Sequence, residues 1–266
     1  MPGSTEHRIN IVLVVFDTLR KDCVGCYGSS PPWDGASPVQ TPNLDRFAEE
    51  CIRFTSAYPE SLPTLPARRS IYTGMRTYPF HDGRFRLRGD FVPAPGWGPI
   101  PEDQDTLAEM LGNAGYRTAL ISDLYHQFKP SKNYWRGFDQ WSFIRGQETD
   151  PAVSGPLPTK DDIDRWVPKP IQELRFTSDE SYRAEGDRPS SERFFERAWL
   201  NRPRGGEERW PNAQVMVEAA RWLEENADAR ERGQPFFLTV ECFDPHEPWF
   251  VPDHYLRLYD HGPEQA

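Results

Sequence analysis

Apolar strands and amphipathic helices alternate along this chain, and that order restricts the possible fold more than any other feature of the sequence. The run from Ile9 to Phe16 is almost continuously apolar, as expected for a strand that is buried in a parallel sheet. Two further strands are predicted over Tyr116 to Ser122 and over Phe236 to Phe243, and each follows an amphipathic helix. Helices that alternate with apolar strands favour parallel pairing. The sequence therefore predicts an α/β fold, with a mostly parallel sheet and helices on both faces.

Helices are predicted where apolar residues recur at intervals of three and four positions. The first begins at Thr41 and Pro42, which suit an N-cap and a first helical turn, and its apolar residues are Leu44, Phe47, Ala48 and Cys51. The other predicted helices cover Ala67 to Tyr72, Leu107 to Ala114, and Val215 to Leu223. A short strand is predicted around Arg53 to Ala57.

Proline is unusually frequent, with 27 of 266 residues, about twice its average share. Such a content predicts long, shaped loops. From about 128 to about 212 a proline-rich, charged stretch interrupts the alternation, with a short helix expected near Ser191 to Leu200. A loop region of this length is unusual inside a compact domain. We interpret it as a functional insertion in one domain that covers residues 1–266.

Charge and cysteine content exclude several classes of partner and location. The 31 basic and 41 acidic residues give a net charge of −10, which disfavours binding to nucleic acid or to an anionic membrane. The apolar run near the start is too short for a membrane span or a signal peptide. Four cysteines are too sparse for a disulfide framework, so a cytoplasmic protein is expected. Cys23 and Cys26 form an isolated C-x-x-C pair, interpreted as structural or incidental rather than as a zinc or redox site.

Polar residues with chemical potential follow three predicted elements. Asp17 ends the first strand, Thr64 and Arg68 surround the start of a helix, and His246 follows the last strand. Sites in open parallel sheets gather at the carboxyl ends of the strands. Together these groups suit an anionic ester, with a carboxylate for a divalent cation, a hydroxyl nucleophile, and Arg and His for the anion or the leaving group. Taken singly they have simpler explanations, namely a turn residue, an N-cap and a proline-bent loop.

Five segments carry a resemblance to a known family. They are Asp17 to Asp22 (against D-D-x-R-x-D), Thr41 to Phe47 (T-P-N-L-D-x-L), Thr64 to Arg68 with Ile71 to Gly74 (C/S-x-P-x-R…L-x-T-G), Gly115 to Ala119 (G-Y-x-T-A), and Phe237 to Trp249 (a strand with P-H-x-P-W). Their order from about Ile9 to Pro252, without the insertion, resembles the sulfatase family of the alkaline-phosphatase-like superfamily. The resemblance implies a hydrolase of anionic esters that uses metal-assisted nucleophilic attack.

The resemblance also assigns roles to particular residues. It implies Thr64, Arg68 and His246 as catalytic residues, and Asp17, Thr18 and Thr64 as ligands of a divalent metal, with Ca²⁺ or Mn²⁺ expected before Mg²⁺ or Zn²⁺. Sulfatases carry Cys or Ser at the position of Thr64, where that side chain is oxidised to formylglycine. Thr carries a methyl group and cannot form that aldehyde, so no formylglycine is expected. Related phosphodiesterases use Thr directly, which favours phosphate or phosphonate esters over sulfate.

Two departures from the family pattern affect the site. The family's G-K-W-H-L-G stretch is replaced by Ile121 to His126, so that its Lys is missing, and His126 and Lys129 are the candidate substrate-binding residues in its place. The family's remaining metal ligands come from a later strand, whereas this sequence ends 20 residues after His246. Asp260 and His261 look superficially like them but follow no predicted strand. The domain is therefore expected to be incomplete at its C-terminal end, unless a homo-oligomer or a second chain supplies the missing half.

Two other functions stay open at this point. The chain could be a non-catalytic sulfatase-like fragment or an anion-binding module, which keeps the polar strand ends without turnover. It could also be a redox or zinc protein built on Cys23 and Cys26. Metal uptake and hydrolysis of an aryl sulfate or phosphate would separate the first alternative from an enzyme.

Overall fold

The computed structural model describes residues 8–30, 37–77, 96–129, 132–147, 149–166, 190–228, 231–247 and 249–259. The chain divides into two compact units. The sheet unit comprises Met1–Phe16 and Glu60–Phe243, and the small unit comprises Asp17–Pro59 and Asp244–Ala266. Both units are therefore built from segments that are distant in sequence.

The sheet unit contains a parallel sheet. Its strands are β1 (Ile11–Phe16), β2 (Arg117–Ser122), β3 (Gln140–Phe143) and β4 (Phe236–Cys242), in the spatial order β1-β4-β2-β3. All pairs are parallel, and Phe237 of β4 lies opposite Ile11 on one side and Thr118 on the other. The predicted parallel α/β fold is confirmed, with strand ends that differ from the predictions by one or two residues.

The described residues contain eight α-helices. They are α1 (Pro42–Glu49), α2 (Thr64–Thr73), α3 (Leu107–Asn113), α4 (Tyr125–Phe128), α5 (Lys160–Trp166), α6 (Ser190–Asn201), α7 (Pro211–Glu225) and α8 (Asp253–Leu256). The predicted insertion thus contains α5, α6 and the edge strand β3. Sequence reasoning missed β3 because four residues without an apolar run carry no clear period.

The central strand β4 separates the two layers of helices. Successive side chains of a strand point to opposite faces. One face of β4 packs with α7 and with β2 in a core of Val215, Ala219, Trp222, Phe236, Leu238, Val240, Cys242, Ala119 and Ile121. The other face carries Phe237, which stacks on Phe138, and Glu241, which meets α2. Helices on both faces follow from this alternation, as the sequence predicted.

The strand β1 is less buried than its apolar sequence predicts. It lies at the edge of the sheet, and Val12 and Val14 are 45% and 46% exposed. The two side chains share a face because they are two positions apart. Of the described residues of β1, Phe16 packs against the α7 core on that face, whereas Val12 and Val14 are not part of it. Burial on both faces is therefore a property of β4 rather than of β1.

In the small unit, the segment that resembles T-P-N-L-D-x-L holds a turn. Thr41 precedes α1, but its side chain makes no capping bond. Its Oγ1 instead accepts a hydrogen bond from Gly25 N (2.8 Å) and donates one to Asp45 Oδ1 (3.0 Å), while Cys26 N donates to the same oxygen (2.6 Å). A side chain at Gly25 would collide with the Asp45 carboxylate. Thr41, Gly25 and Asp45 therefore lock the turn at Gly25–Tyr27 onto α1.

The small unit contradicts one expectation and contains the predicted helix α1 with an exposed apolar face. Residues 53–57 form a loop rather than a strand, and this loop is tied back by Arg53, which donates to Cys26 O, and by Lys21, whose Nζ donates to Thr55 O (2.7 Å). The apolar stripe of α1 is not a core, because Phe47 is 69% exposed and none of the eight residues of α1 is buried. The apolar residues of α1 have helical spacing, but in the described part of the chain no element packs over them to bury them.

Candidate functional site

The helix α2 begins at the predicted nucleophile. Thr64 is its first residue and Pro63 precedes it as the N-cap, so Thr64 is not itself the capping residue. Arg68 lies one turn further on, and residues four apart share one face of a helix. Both side chains are buried, with Thr64 7% and Arg68 5% exposed. The structure therefore brings a hydroxyl and a guanidinium onto one face at the helix N-terminus, where the backbone dipole favours anions.

Arg68 is held by a buried polar network that sequence reasoning did not assign. Its Nε donates to Glu241 Oε2 (2.8 Å), and the other carboxylate oxygen accepts from Tyr72 OH (3.0 Å) and from Gln127 Nε2 (2.9 Å). Gln127 Oε1 in turn accepts from Ser122 Oγ (2.8 Å). One signal was available in the sequence, because Glu241 is the only charged residue in the otherwise apolar and neutral run of β4. A charged residue in a buried strand requires a partner.

The hydroxyl of Tyr72 stays protonated in this environment. Burial, and after it the negative charge of Glu241 and the hydrogen bond to it, raise the pKa of Tyr72 well above its ordinary value. The phenol can therefore act as a donor to the carboxylate throughout the neutral range. Tyr72 also packs in a second core with Leu65, Ile100 and Tyr134, which fixes α2 in place.

The two candidate substrate-binding residues lie side by side. Lys129 Nζ is 2.7 Å from His126 Nδ1, next to α4. An ammonium group can only donate, so His126 Nδ1 is the acceptor in this contact. His126 also contacts Trp97 edge-on, with 4.9 Å between ring centroids, and Lys129 lies over the ring of Tyr125. The structure thus places the two side chains next to each other, while their role in binding stays a prediction.

Asp123 occupies the end of β2 and is fully buried. Its Oδ1 accepts a hydrogen bond from Phe243 N (2.7 Å), which joins the chain after β2 to the chain after β4. From the sequence, Asp123 was named only as part of Ile121 to His126, the segment in which the family's Lys is missing. Its position suggests a structural contribution, because it ties together two strand ends at the carboxyl edge of the sheet.

The remaining predicted site residues belong to the small unit. Asp17 is buried, whereas Thr18 is exposed and has a φ of 56°, a left-handed conformation that is uncommon for a β-branched residue. His246 Nδ1 lies 3.0 Å from Glu247 O and 3.2 Å from Glu247 Oε2. In the predicted metal segment, Asp22 pairs with Arg20, and the hydrogen bond from Arg20 lowers the pKa of Asp22.

The donors predicted for a metal do not by themselves complete a site. Divalent Ca²⁺ and Mn²⁺ prefer about six or more oxygen ligands, whereas the side chains of Asp17, Thr18 and Thr64 carry four oxygens in all. Within the described ranges, no group of three or more His, Cys, Asp or Glu side chains is arranged to hold a metal ion. Asp260 and His261 lie outside the described residues. Further oxygen ligands would therefore be needed for these residues to hold a divalent ion.

The interpretation of Cys23 and Cys26 as structural or incidental thiols stays a prediction, and the surroundings of Cys23 agree with it. Both are half-buried, and burial, followed by the charge of Asp22, raises the pKa of Cys23. A raised pKa disfavours the thiolate that metal binding or redox chemistry needs. The two cysteines lie on the successive short turns Lys21–Cys23 and Gly25–Tyr27, the second of which is fixed by Thr41 and Asp45.

A parallel sheet with helices on both faces defines a protein of the α/β class, and one of its helices presents Thr64 and Arg68 together. The sulfatase family model matches residues 9–265, and the chain belongs to the sulfatase family. The match spans all five of the segments on which the sequence resemblance was based. None of the described helices has the length and apolar character needed to cross a membrane.

Similar proteins cover the chain to different extents. An N-acetylglucosamine-6-O-sulfatase of Bacteroides thetaiotaomicron is 32% identical over 142 residues, which are 53% of this chain and 21% of that protein. An arylsulfatase of Clostridium perfringens is 27% identical over 258 residues, 94% of this chain and 46% of that protein. The structure of a phosphonate monoester hydrolase of Agrobacterium radiobacter matches with a TM-score of 0.53 at 21% identity, over 94% of this chain and 44% of that one. This chain therefore spans less than half the length of each.

Proposed function

We propose that this chain forms part of a hydrolase of anionic esters in which Thr64 is the nucleophile and Arg68 holds the anion. The observation that carries this proposal is the pair of buried side chains one turn apart at the start of α2. A hydroxyl at a helix N-terminus beside a guanidinium suits attack on an anionic centre, because the donors stabilise the charge that develops on its oxygens.

The proposed reaction has two steps. Thr64 Oγ1 attacks the phosphorus or sulfur atom and loses its proton, so that a new bond to Oγ1 forms while the bond to the leaving oxygen breaks. The leaving oxygen takes up a proton and departs as an alcohol. Water then attacks the same atom, the anion is released, and the hydroxyl of Thr64 is restored. His246, His126 and Lys129 are the proposed further contacts to the anion or the leaving group.

The substrate is proposed to be a small phosphate, phosphonate or sulfate ester. Thr64 cannot give formylglycine, which supports phosphate or phosphonate, and the similarity to a phosphonate monoester hydrolase agrees with this choice. The names of the curated relatives support sulfate. Involvement of a divalent metal, with Asp17 among its ligands, stays a prediction, as do a cytoplasmic location, a single domain over residues 1–266, and a second copy or chain that completes the site.

The proposal is tested with three substrates: 4-nitrophenyl phosphate, 4-nitrophenyl phenylphosphonate and 4-nitrophenyl sulfate. Each is assayed with and without added Ca²⁺ or Mn²⁺. We expect Thr64→Ala to lower kcat at least about 10³-fold, because the nucleophile is lost, and Thr64→Ser to retain part of the activity. Thr73→Ala is the matched control on the same helix, since Thr73 Oγ1 bonds to backbone groups, donating to Arg69 O (2.7 Å) and accepting from Met75 N (3.1 Å).

Activity that survives Thr64→Ala would show that the nucleophile is assigned wrongly. A folded wild-type chain that hydrolyses none of the esters but binds inorganic phosphate or sulfate would instead favour the anion-binding module.

A further inference from the structure

Glu241 is fully buried in the central strand of the sheet. It is the only charged residue of β4, and it points to the face on which α2 lies. A carboxylate in such a place is strongly unfavourable without a counter-charge and full hydrogen bonding. Its presence in the middle of a hydrophobic sheet therefore calls for a reason other than packing.

The carboxylate is bound on both oxygens by side chains from two elements. Arg68 and Tyr72 are four residues apart on α2 and share one face of that helix, and they bind Oε2 and Oε1 respectively. Gln127, on α4, adds a second bond to Oε1 and another to the Tyr72 hydroxyl (3.2 Å). Of these four residues only Arg68 and Glu241 are charged, so the network is neutral as a whole.

We propose that Glu241 is a positioning residue, which fixes the guanidinium of Arg68 for the anionic group of the substrate; this inference rests on the proposed function. Arginine has a long side chain with many rotamers, and a bond to Nε from a carboxylate on a rigid strand fixes both its direction and the plane of the guanidinium. The planar group is thereby held one turn from Thr64 before substrate binds, which is the preorganisation that charge stabilisation requires.

The neutral donors of the network bind the carboxylate oxygen that Arg68 Nε does not contact. Tyr72 and Gln127 bind Oε1, so that, among the described residues, Oε2 is left to Arg68. Replacement of Glu241 by Gln keeps the shape but removes the counter-charge of a buried guanidinium, and Arg68 loses its fixed orientation. Tyr72→Phe removes one bond to Glu241 and leaves the Arg68 contact in place, so it is a milder change in the same direction.

The experiment is a double-mutant cycle on the full chain with Arg68→Ala, Glu241→Gln and the combined variant. Steady-state kcat and KM are measured with 4-nitrophenyl phosphate and sulfate, and dissociation constants for inorganic phosphate and sulfate are measured by calorimetry. The matched control is Thr239→Val, because Thr239 is buried on the same face of β4, and within the described residues its hydroxyl makes no hydrogen bond. Circular dichroism and thermal unfolding verify that each variant is folded.

If Glu241 acts through Arg68, Glu241→Gln lowers kcat/KM by about 10- to 100-fold, mostly in kcat, and adds no further loss to Arg68→Ala. Thr239→Val keeps the wild-type rate. Independent, multiplicative losses in the double variant, or a wild-type rate in Glu241→Gln, overturn the inference. If Glu241→Gln does not fold, a severalfold loss of kcat in Tyr72→Phe supports the inference and an unchanged kcat overturns it.

The anion-binding measurement separates this inference from the proposed function. A wild-type chain that hydrolyses neither ester but binds inorganic phosphate or sulfate more tightly than Glu241→Gln would overturn hydrolysis and support positioning of Arg68. A chain that hydrolyses an ester equally well with and without the carboxylate would keep the proposed function and overturn the positioning role. Absence of both hydrolysis and anion binding in the wild type overturns both.

Discussion

At the scale of single residues, the site depends on how a few buried polar groups satisfy one another. The Glu241 carboxylate receives one charged and two neutral donors, and Gln127 uses both ends of its amide, one toward Glu241 and one toward Ser122. Buried networks of this kind are stable only when every member has a partner. Loss of one hydroxyl from the network should therefore lower the free energy of unfolding and change how that free energy depends on pH.

Tyr72→Phe provides that measurement. The pKa of Tyr72 is raised in the folded state, so its contribution to stability is present below its ordinary pKa of 10.0 and is lost as pH rises further. At pH 8 we expect the variant to be less stable by about 1–2 kcal/mol. This difference should shrink as pH rises from 9 to 11, by at most about 1.4 kcal/mol per pH unit. Urea unfolding of both proteins at each pH measures it.

The control for this prediction is Tyr58→Phe, at a position that is 88% exposed. It should follow the wild type at every pH. A stability difference between wild type and Tyr72→Phe that is constant or grows above pH 10 would show that the Tyr72 hydroxyl does not hold its proton as the buried network requires.

At the scale of elements, the helices begin and end where local side chains meet the needs of the backbone. The helix α2 ends at Gly74, whose φ of 65° is in the left-handed region that glycine adopts without strain. The helix α3 begins with a capping box, in which Thr106 Oγ1 accepts from Glu109 N (3.2 Å) and Glu109 Oε2 accepts from Thr106 N (2.8 Å). Arg136 also pairs with Glu109, so this cap joins α3 to the loop before β3.

A second capping box permits a matched comparison. Thr159 and Asp162 form the same reciprocal bonds at the start of α5, with distances of 2.9 Å and 3.2 Å. Thr106 is buried, whereas Thr159 is exposed. We expect Thr106→Ala to reduce the free energy of unfolding by about 1–2 kcal/mol and Thr159→Ala by about 0.5 kcal/mol, because water can replace the exposed cap. Chemical unfolding of the two variants tests the order, and equal losses would contradict it.

At the scale of the whole molecule, net charge affects which partners the protein can bind, and chain connectivity determines which segments form each compact unit. The net charge of −10 gives the protein a repulsive field for polyanions. The chain passes between its two compact units three times, after Phe16, after Pro59 and after Phe243. Each unit therefore depends on segments that are far apart in sequence, and neither corresponds to a continuous stretch that a sequence boundary could mark.

The charge leads to a prediction about nucleic acid. A labelled DNA duplex should show no binding to this chain at 150 mM salt in a fluorescence anisotropy titration up to about 100 µM, because no net phosphate neutralisation compensates the repulsion. A single-stranded oligonucleotide serves as the parallel sample. Saturable binding of either probe below about 10 µM would contradict the exclusion of nucleic acid.

Part of the site could be predicted from the sequence and part could not. Thr64 and Arg68 share a local spacing of four residues, and a helix turns that spacing into proximity without help from the rest of the fold. His126 and Lys129 are three residues apart and meet for a similar reason. Glu241 was not assigned, because it is separated from Arg68 by 173 positions and no local period relates the two.

The sequence by itself determined the parallel α/β architecture and the family, because strand and helix periods and the order of short segments are written locally in the chain. Tertiary structure alone decided which strand is central, so that β4 is buried throughout although it carries Thr239 and Glu241, while Val12 and Val14 of the wholly apolar β1 are exposed. It also decided that the Glu241 carboxylate faces Arg68. The physical reason is that burial and ion pairing depend on which distant elements pack together, a property that no local pattern of residues contains.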